Sequence, residues 1–320
     1  MNAVISPQRS VSVKTHGRLH LGFFDLSGQP QRQFGSLGVA IDACQTALTV
    51  SAKPQVSEAD PWAAGILQHH LHALGRNEQL TLTVERTIPR HSGLGSGTQM
   101  ALAIGTGINT LLEKSMETSQ IAALHQRGAR SGIGIATFDH GGLVVDGGRG
   151  PETLVPPLLA RHAFPEAWHF LLIMDHGRDG LHGAGEKQAF KQLAPQPAAA
   201  TREIQHKLLM QGLPALIEQD FDEFSDFLGA LQTYNAEYFA PAQGGLYASQ
   251  PVTRVLETLR RQGYHGLGQT SWGPTGFVLL PSKAEALQKQ AELSRISDQS
   301  VLSFTVTAAV NCPASVEING

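Results

Sequence analysis

Residues 88–112 read IPRHSGLGSGTQMALAIGTGINTLL, and this stretch constrains the chain more than any other. Gly93, Gly95 and Gly97 leave no side chains to block an anion. Ser96 and Thr98 add hydroxyl donors. The helix expected to follow at once presents N–H groups without intrahelical partners and the positive end of its dipole. Such a loop is built to hold phosphate; the alternative is a tight strand-to-helix turn that merely needs glycine. Arg90 and His91 just upstream favour the anion. The spacing is not G-x-x-x-x-G-K-[ST], because no lysine stands at the required place. The helix itself is apolar on nearly every side and is expected to be buried.

With 320 residues, 41% of them hydrophobic, the chain has room for two domains around well-buried cores. A formal charge of −3 with 16% charged residues excludes the basic excess of a nucleic-acid binder and the charge runs of a disordered arm. No apolar run reaches the roughly 18 residues of a membrane span, and the N-terminus lacks a signal-peptide core. A cytoplasmic protein is expected. Cys44 and Cys312 fit no metal spacing and read as buried thiols in a reducing compartment. His69, His70 and His72 in QHHLH lack a metal-binding register and read as one helix face.

The first third is β-rich. SVSVKTHG, RLHLGFFDL, SLGVAI, QTALTVSA and LTLTVERT are short β-branched runs separated by turns. PWAAGILQHHLHALG has helical spacing that stops at Gly75, and TSQIAALHQRG is a second helix with Thr and Ser available as caps. GIGIATFDHGGLVVDGG reads as two strands around Asp139-His140-Gly141-Gly142. Proline-rich GPETLVPPLLARHAFPEA reads as a connector, which places a domain boundary near residue 160. Beyond it come the strand WHFLLIMD, helices over GAGEKQAFKQL, AATREIQHKLLMQ, FDEFSDFLGALQTYNAEYFA and QPVTRVLETLRRQG, the strand-turn-strand GLGQTSWGPTGFVLL, the helix KAEALQKQAEL and the strand SVLSFTVTA. That order implies an α+β fold with an antiparallel sheet.

Two further stretches carry candidate chemistry. In GQTSWGPTG, Gly268, Gly273 and Gly276 punctuate a turn that presents Ser271 and Trp272; a structural hairpin is the alternative. In HGRLHLGFFDLSG, Arg18 and His20 point to one side of a strand; a solvated edge is the alternative. Tyr234, Tyr238 and Phe239 on the long helix read as core.

Together the three stretches resemble the GHMP superfamily of small-molecule kinases. In that family a P-x-x-x-G-L-G-S-S-A loop, here Pro89 to Thr98, binds nucleotide phosphates, and a second glycine motif packs beside it. The resemblance implies an N-terminal ribosomal-S5-like domain over residues 1–160 and a C-terminal ferredoxin-like domain over 161–320, with the site between them. Two departures weaken the kinase reading. Gly97 replaces the metal-binding second serine, and RSGIG puts Gly134 where the family's S-G-x-D carries its catalytic aspartate.

The stretches GLGSGTQMALA, RSGIGIATFDHGGLVVDGG, LHGAGEKQAF, GQTSWGPTGF and RLHLGFFDLSG are similar to one branch of the superfamily, the β-ribofuranosylaminobenzene 5′-phosphate synthases. That resemblance implies a decarboxylating phosphoribosyltransferase. Such an enzyme joins 4-aminobenzoate, or 4-hydroxybenzoate, to 5-phosphoribosyl 1-diphosphate (PRPP) early in the synthesis of tetrahydromethanopterin-type carriers. It also implies Mg²⁺, no nucleotide cofactor and a homodimer. On this reading the glycine loop with Arg90 holds PRPP, Arg18, Arg32 and Arg130 are cationic candidates for the aryl carboxylate, Trp272 is a wall for the ring, and Ser271 is a further substrate- or phosphate-binding candidate. His20, Asp139, His140 and Glu186 are the further catalytic candidates, and Asp25 and Asp175 the metal candidates. A kinase with Asp139 as a relocated base, or a ligand-binding protein without catalysis, remain the rivals.

Overall fold

A computed structural model describes residues 9–52, 60–177, 190, 192–297 and 300–320. The β-branched runs at the N-terminus fuse into two long antiparallel strands, β1 (Ser10–Asp25) and β2 (Phe34–Ser51). Bulges at His16/Gly17 and His20/Gly22 replace the expected breaks, so the strands bend without ending. Helix α1 (Pro61–Ala73) starts at Asp60, whose carboxylate accepts the Ala63 N–H at 2.9 Å, and ends before Gly75 at φ +65°. Strand β3 (Thr81–Arg86) pairs with the second half of β2.

Helix α2 (Ser96–Leu111) follows the glycine loop and is buried on most sides, as its composition requires. It packs on β1 and β2, with Met100, Leu102 and Ile104 meeting Val11, Val13, Leu48 and Val50. Helix α3 (Thr118–Leu124) is capped by Glu117 in a capping box with Gln120, not by the threonine or serine beside it.

The segment expected to be two strands is a helix and a strand, α4 (Ile133–His140) and β4 (Leu143–Asp146). Gly-Ile-Gly-Ile mimics a two-residue period, but Ile133 needs the bare surface of Gly38 on β2, where a Cβ would lie 2.3 Å from its Cγ2. The supposed connector contains β5 (Leu158–His162), an edge strand on β4.

Strand β6 (His169–Asp175) opens the second sheet. Helices α5 (Ala198–Lys207), α6 (Leu213–Glu218), α7 (Phe221–Gln243) and α8 (Gln250–Arg261) follow, a π-helical turn (Leu208–Gly212) joining the first two. The hairpin β7 (Leu267–Gln269) and β8 (Gly276–Leu280), helix α9 (Lys283–Ile296) and strand β9 (Leu302–Ala308) complete this half. The sheet order is β7-β8-β6-β9, antiparallel throughout.

Alternation along β6 sends Phe170 and Leu172 toward α7 and the first sheet, and Leu171 and Ile173 toward α8 and α9. The last strand, β10 (Ser315–Asn319), returns to pair with β1, giving the first sheet the order β10-β1-β2-β4-β5 with β3 on β2. The first sheet thus draws strands from both sides of residue 160. One apolar core runs from Leu19, Leu21 and Val39 to Phe170, Phe227 and Phe277, so the cleft between the two halves has a rigid floor.

Candidate active site

Three chain segments meet at Gly93. Its carbonyl accepts Arg18 Nη1 from β1 at 2.5 Å and Thr270 Oγ1 from the β7–β8 hairpin at 3.2 Å, and Thr270 Oγ1 also accepts the His20 N–H at 2.9 Å. The two glycine motifs touch backbone to backbone: a Cβ at Gly93 would lie 2.6 Å from the Thr270 carbonyl oxygen, and one at Gly273 would lie 2.4 Å from that of Ser92. Gly93 also holds φ +83°, so both its place and its conformation demand glycine.

Gly95 is the N-cap of α2 at φ +92°. The N–H groups of Thr98 and Gln99 return to its carbonyl at 3.1 and 3.0 Å, while those of Ser96 and Gly97 have no backbone acceptor among the described residues. Two guanidinium groups flank this end. A Cβ at Gly95 would lie 3.4 Å from Arg18 Cζ, and one at Gly97 would lie 3.1 Å from both Nη atoms of Arg127. Arg127 forms no ion pair among the described residues, its Nε is buried without a partner, and burial lowers its pKa. A partly buried cation of this kind, beside free helix N–H groups, is arranged for an anion.

Gly134, at the family's aspartate position, lies against the loop. A Cβ there would be 3.1 Å from Thr98 Cγ2, and the Gly134 carbonyl accepts Gln99 Nε2 at 2.7 Å.

Beside the cradle lies an aromatic cluster of Phe23, Phe34, Phe190, Phe239 and Trp272, with Phe239 and Trp272 at 4.4 Å between centroids and Phe190 edge-on to Trp272 at 5.3 Å. Arg130 stacks on Phe190 at 4.5 Å. His20 is fully buried, 4.5 Å from the Phe23 ring, and burial with the charge of Arg18 pushes its pKa down to about 3, so it is neutral. Ser271 sits at φ +53° next to the nearly buried Trp272.

The structure thus brings together Arg18, His20, Gly93, Gly95, Ser96, Gly97, Thr98, Arg130, Ser271 and Trp272. Others lie apart. Arg90 is turned onto the Trp62 ring at 4.5 Å. Arg32 donates to the carbonyls of Gly147 and Gly148.

Asp139 lies at the far end of α4, where burial raises its pKa against a hydrogen bond from Thr118. His140 is exposed beside it, and its carbonyl accepts Arg161. Asp25 closes its own turn through Ser27 and accepts Gln205, while Asp175 accepts the Gly177 N–H and the Ser249 hydroxyl. Glu186 lies outside the described residues. Cys312 is exposed and Cys44 half-buried, both free, which corrects the reading of two buried thiols.

Mg²⁺ needs a set of oxygen ligands. Among the described residues no group of three His, Cys, Asp or Glu could hold a metal. Gly97 offers no side-chain oxygen; Asp25 is engaged by Ser27 and Gln205, and Asp175 by Gly177 and Ser249. Both predicted metal carboxylates are thus engaged within the fold.

Sequence reasoning missed Arg127, Phe190, Phe239 and Asp146. The doublet Arg127/Arg130 around Gly128 was a signal for the first. Asp146, fully buried, accepts Gly132 N–H at 2.8 Å, Gly148 N–H at 2.8 Å and the hydroxyls of Ser36 and Ser131; burial raises its pKa. It anchors the segment that carries Arg130.

Residues 62–142 match the GHMP kinases N terminal domain and residues 213–297 the GHMP kinases C terminal domain. A homoserine kinase from Cytophaga hutchinsonii has the same fold, with TM-score 0.67 at 17% identity over 98% of this chain and 99% of that one. The protein is therefore of the GHMP class, an α+β protein of two joined halves.

Within that class, the beta-ribofuranosylphenol 5′-phosphate synthase of Archaeoglobus fulgidus is 30% identical over 297 residues, 87% of this chain and 90% of that protein. The one of Methanothermobacter thermautotrophicus is 27% identical, covering 85% and 89%. The 4-diphosphocytidyl-2-C-methyl-D-erythritol kinase of Mycolicibacterium smegmatis is 28% identical over 72% of this chain and 64% of its own. The chain belongs to the β-ribofuranosylphenol 5′-phosphate synthase family.

Proposed function

We propose that the protein transfers the 5-phosphoribosyl group of PRPP to a para-substituted benzoate, 4-hydroxybenzoate or 4-aminobenzoate, releasing CO₂ and diphosphate, as a step toward a tetrahydromethanopterin-type carrier. The observation that carries this reading is Arg127, a cation without an acid partner among the described residues, set against Gly97 at the start of α2. With Arg18 on the other side, it supports a polyanion rather than a neutral ligand. The family relatives are named as synthases of a ribofuranosylphenol 5′-phosphate, which agrees with the hydroxy acid.

The reaction makes demands these residues can meet. The C1–O bond of PRPP breaks with its electron pair leaving on diphosphate, so donors are needed where that charge grows. The N–H groups of Ser96 and Gly97 with Arg18 and Arg127 are the donors. A π pair of the ring, enriched by the para substituent, forms the C–C bond at the carbon bearing the carboxylate. The C–COO⁻ bond then returns its pair to the ring and CO₂ departs. No proton leaves the attacked carbon, so no base is required there, and Gly134 is consistent with that. Arg130, stacked over Phe190, is the cation this reading assigns to orienting the carboxylate.

The test supplies purified protein with Mg²⁺, PRPP and carboxyl-labelled 4-hydroxybenzoate or 4-aminobenzoate, with parallel tubes of ATP and candidate alcohols. PRPP-dependent labelled CO₂ is the expected result. ADP formation without CO₂ would overturn it in favour of a kinase.

A further inference from the structure

We propose that His20 and Trp272 form the polar end of a slot for the aryl substrate and read its para substituent, His20 accepting a hydrogen bond from it and Trp272 donating one to it. The inference rests on the aryl-transfer reading above and assigns the residues that select the aryl acid.

The slot shares a wall with the phosphate cradle, because the His20 backbone and the Trp272 hairpin both converge on Thr270 and Gly93. Phe23, Phe239 and Tyr247 supply apolar walls. The polar side chains around them are nearly all spent on the fold. Gln232 donates to the Leu21 carbonyl at 2.6 Å and accepts the Gln269 N–H at 2.8 Å. Asn235 takes both backbone groups of Phe23 at 2.8 Å. Gln269 donates to Gln243 and accepts the Ala248 N–H, Gln243 donates to the Leu246 carbonyl, and the Tyr247 hydroxyl accepts Arg260.

Two lining residues carry a buried nitrogen without a partner among the described residues, His20 at Nε2 and Trp272 at Nε1. Buried polar groups are rarely left unbonded, and two of them on residues that line one slot are what a polar ligand there would satisfy. Their chemistry is complementary. A neutral imidazole carries its proton on one ring nitrogen and a lone pair on the other, and the proposed role puts the lone pair on the unpartnered Nε2. Neutral imidazole keeps that lone pair at physiological pH. Trp272 Nε1 can only donate.

A para hydroxyl satisfies both, donating to His20 and accepting from Trp272. Its donation to imidazole also increases electron release to the ring carbon opposite, the one that forms the new bond. A para amine is the weaker donor and also accepts poorly, since its lone pair is delocalised into the ring. A methoxyl accepts but cannot donate. The slot is narrow, with Trp272 against Phe239, so a ring enters only as Trp272 moves off that neighbour.

Calorimetric binding with saturating PRPP, alongside turnover, tests this with 4-hydroxybenzoate, 4-methoxybenzoate and benzoate. Wild type should bind the hydroxy acid about tenfold more tightly than the other two, the loss expected for one buried hydrogen bond. Trp272→Phe, which keeps a ring, should erase most of that preference while leaving the KM for PRPP within about twofold of wild type. The substrate series in wild type needs no variant to fold. Equal affinity for hydroxybenzoate and benzoate, or a Trp272→Phe variant that weakens both alike, overturns the proposal. If the preference is present but no CO₂ is released from PRPP, the slot stands and the transfer reading fails. If CO₂ is released with no preference, the slot fails alone.

Discussion

Replacing Arg127 by methionine separates a ligand-binding arginine from a structural one. The guanidinium stands 3.1 Å from the Cβ position of Gly97, forms no ion pair among the described residues, and has a buried Nε without a partner. Methionine keeps most of the aliphatic stem and removes only the desolvated charge. A hydrogen bond to a charged group contributes about 1.5–3 kcal/mol. Every 1.4 kcal/mol is about tenfold, so the KM for PRPP should rise by roughly 10- to 150-fold. The ligand-free fold should lose nothing, because the charge is held there at a desolvation cost and with no ion pair to offset it. The melting temperature without PRPP should stay within about 2 °C of wild type, or rise. PRPP should raise it in wild type and hardly at all in the variant. Initial-rate kinetics and calorimetric melting with and without PRPP check both halves. An unchanged KM, or a fall of more than about 5 °C without ligand, would refute the reasoning and make Arg127 part of the scaffold.

Other outcomes follow from the same geometry. Gly93→Ala forces a left-handed residue into the Thr270 carbonyl, 2.6 Å away, so it should cost about 2 kcal/mol or more and abolish turnover, read by denaturant melts and the CO₂ assay. Gly134→Asp restores a carboxylate beside Thr98; PRPP use should fall at least about tenfold by charge repulsion, and any gain of ATP-dependent phosphorylation would speak for a dormant kinase. Asp25→Asn and Asp175→Asn should leave the Mg²⁺ concentration for half-maximal turnover unchanged, and a large increase would restore them as ligands.

The stacked pair His70 and His125, with Nδ1 to Nε2 at 3.0 Å, is kept neutral mainly by burial, His125 being pushed down to about 4. The folded state then binds fewer protons than the unfolded one. The contribution to stability is complete above about pH 6.5 and is lost as pH falls toward 4. His125→Phe should flatten the stability profile over that interval, measured as denaturant midpoint against pH.

Much of the molecule could be read directly from its residues because the signals are local. Positive-φ glycines and the apolar run after them specify the loop and α2. β-Branched runs give the strands, and Asp60 and Gly75 bound α1. The same locality made the family resemblance visible.

What escaped depends on residues far apart in the chain. Whether Gly132–His140 is strand or helix turns on Gly38 of β2 leaving room for Ile133. Arg127 is one more arginine in a turn until α3 and α4 fold its guanidinium onto Gly97. Phe239 reads as helix core until the β7–β8 hairpin sets Trp272 against it, and Asp146 is an ordinary strand end until its carboxylate gathers Ser36, Ser131 and Gly132. Propensity and capping act within a few residues of sequence. Burial, desolvation and the pairing of charges are set by neighbours in space, and only the folded chain supplies those.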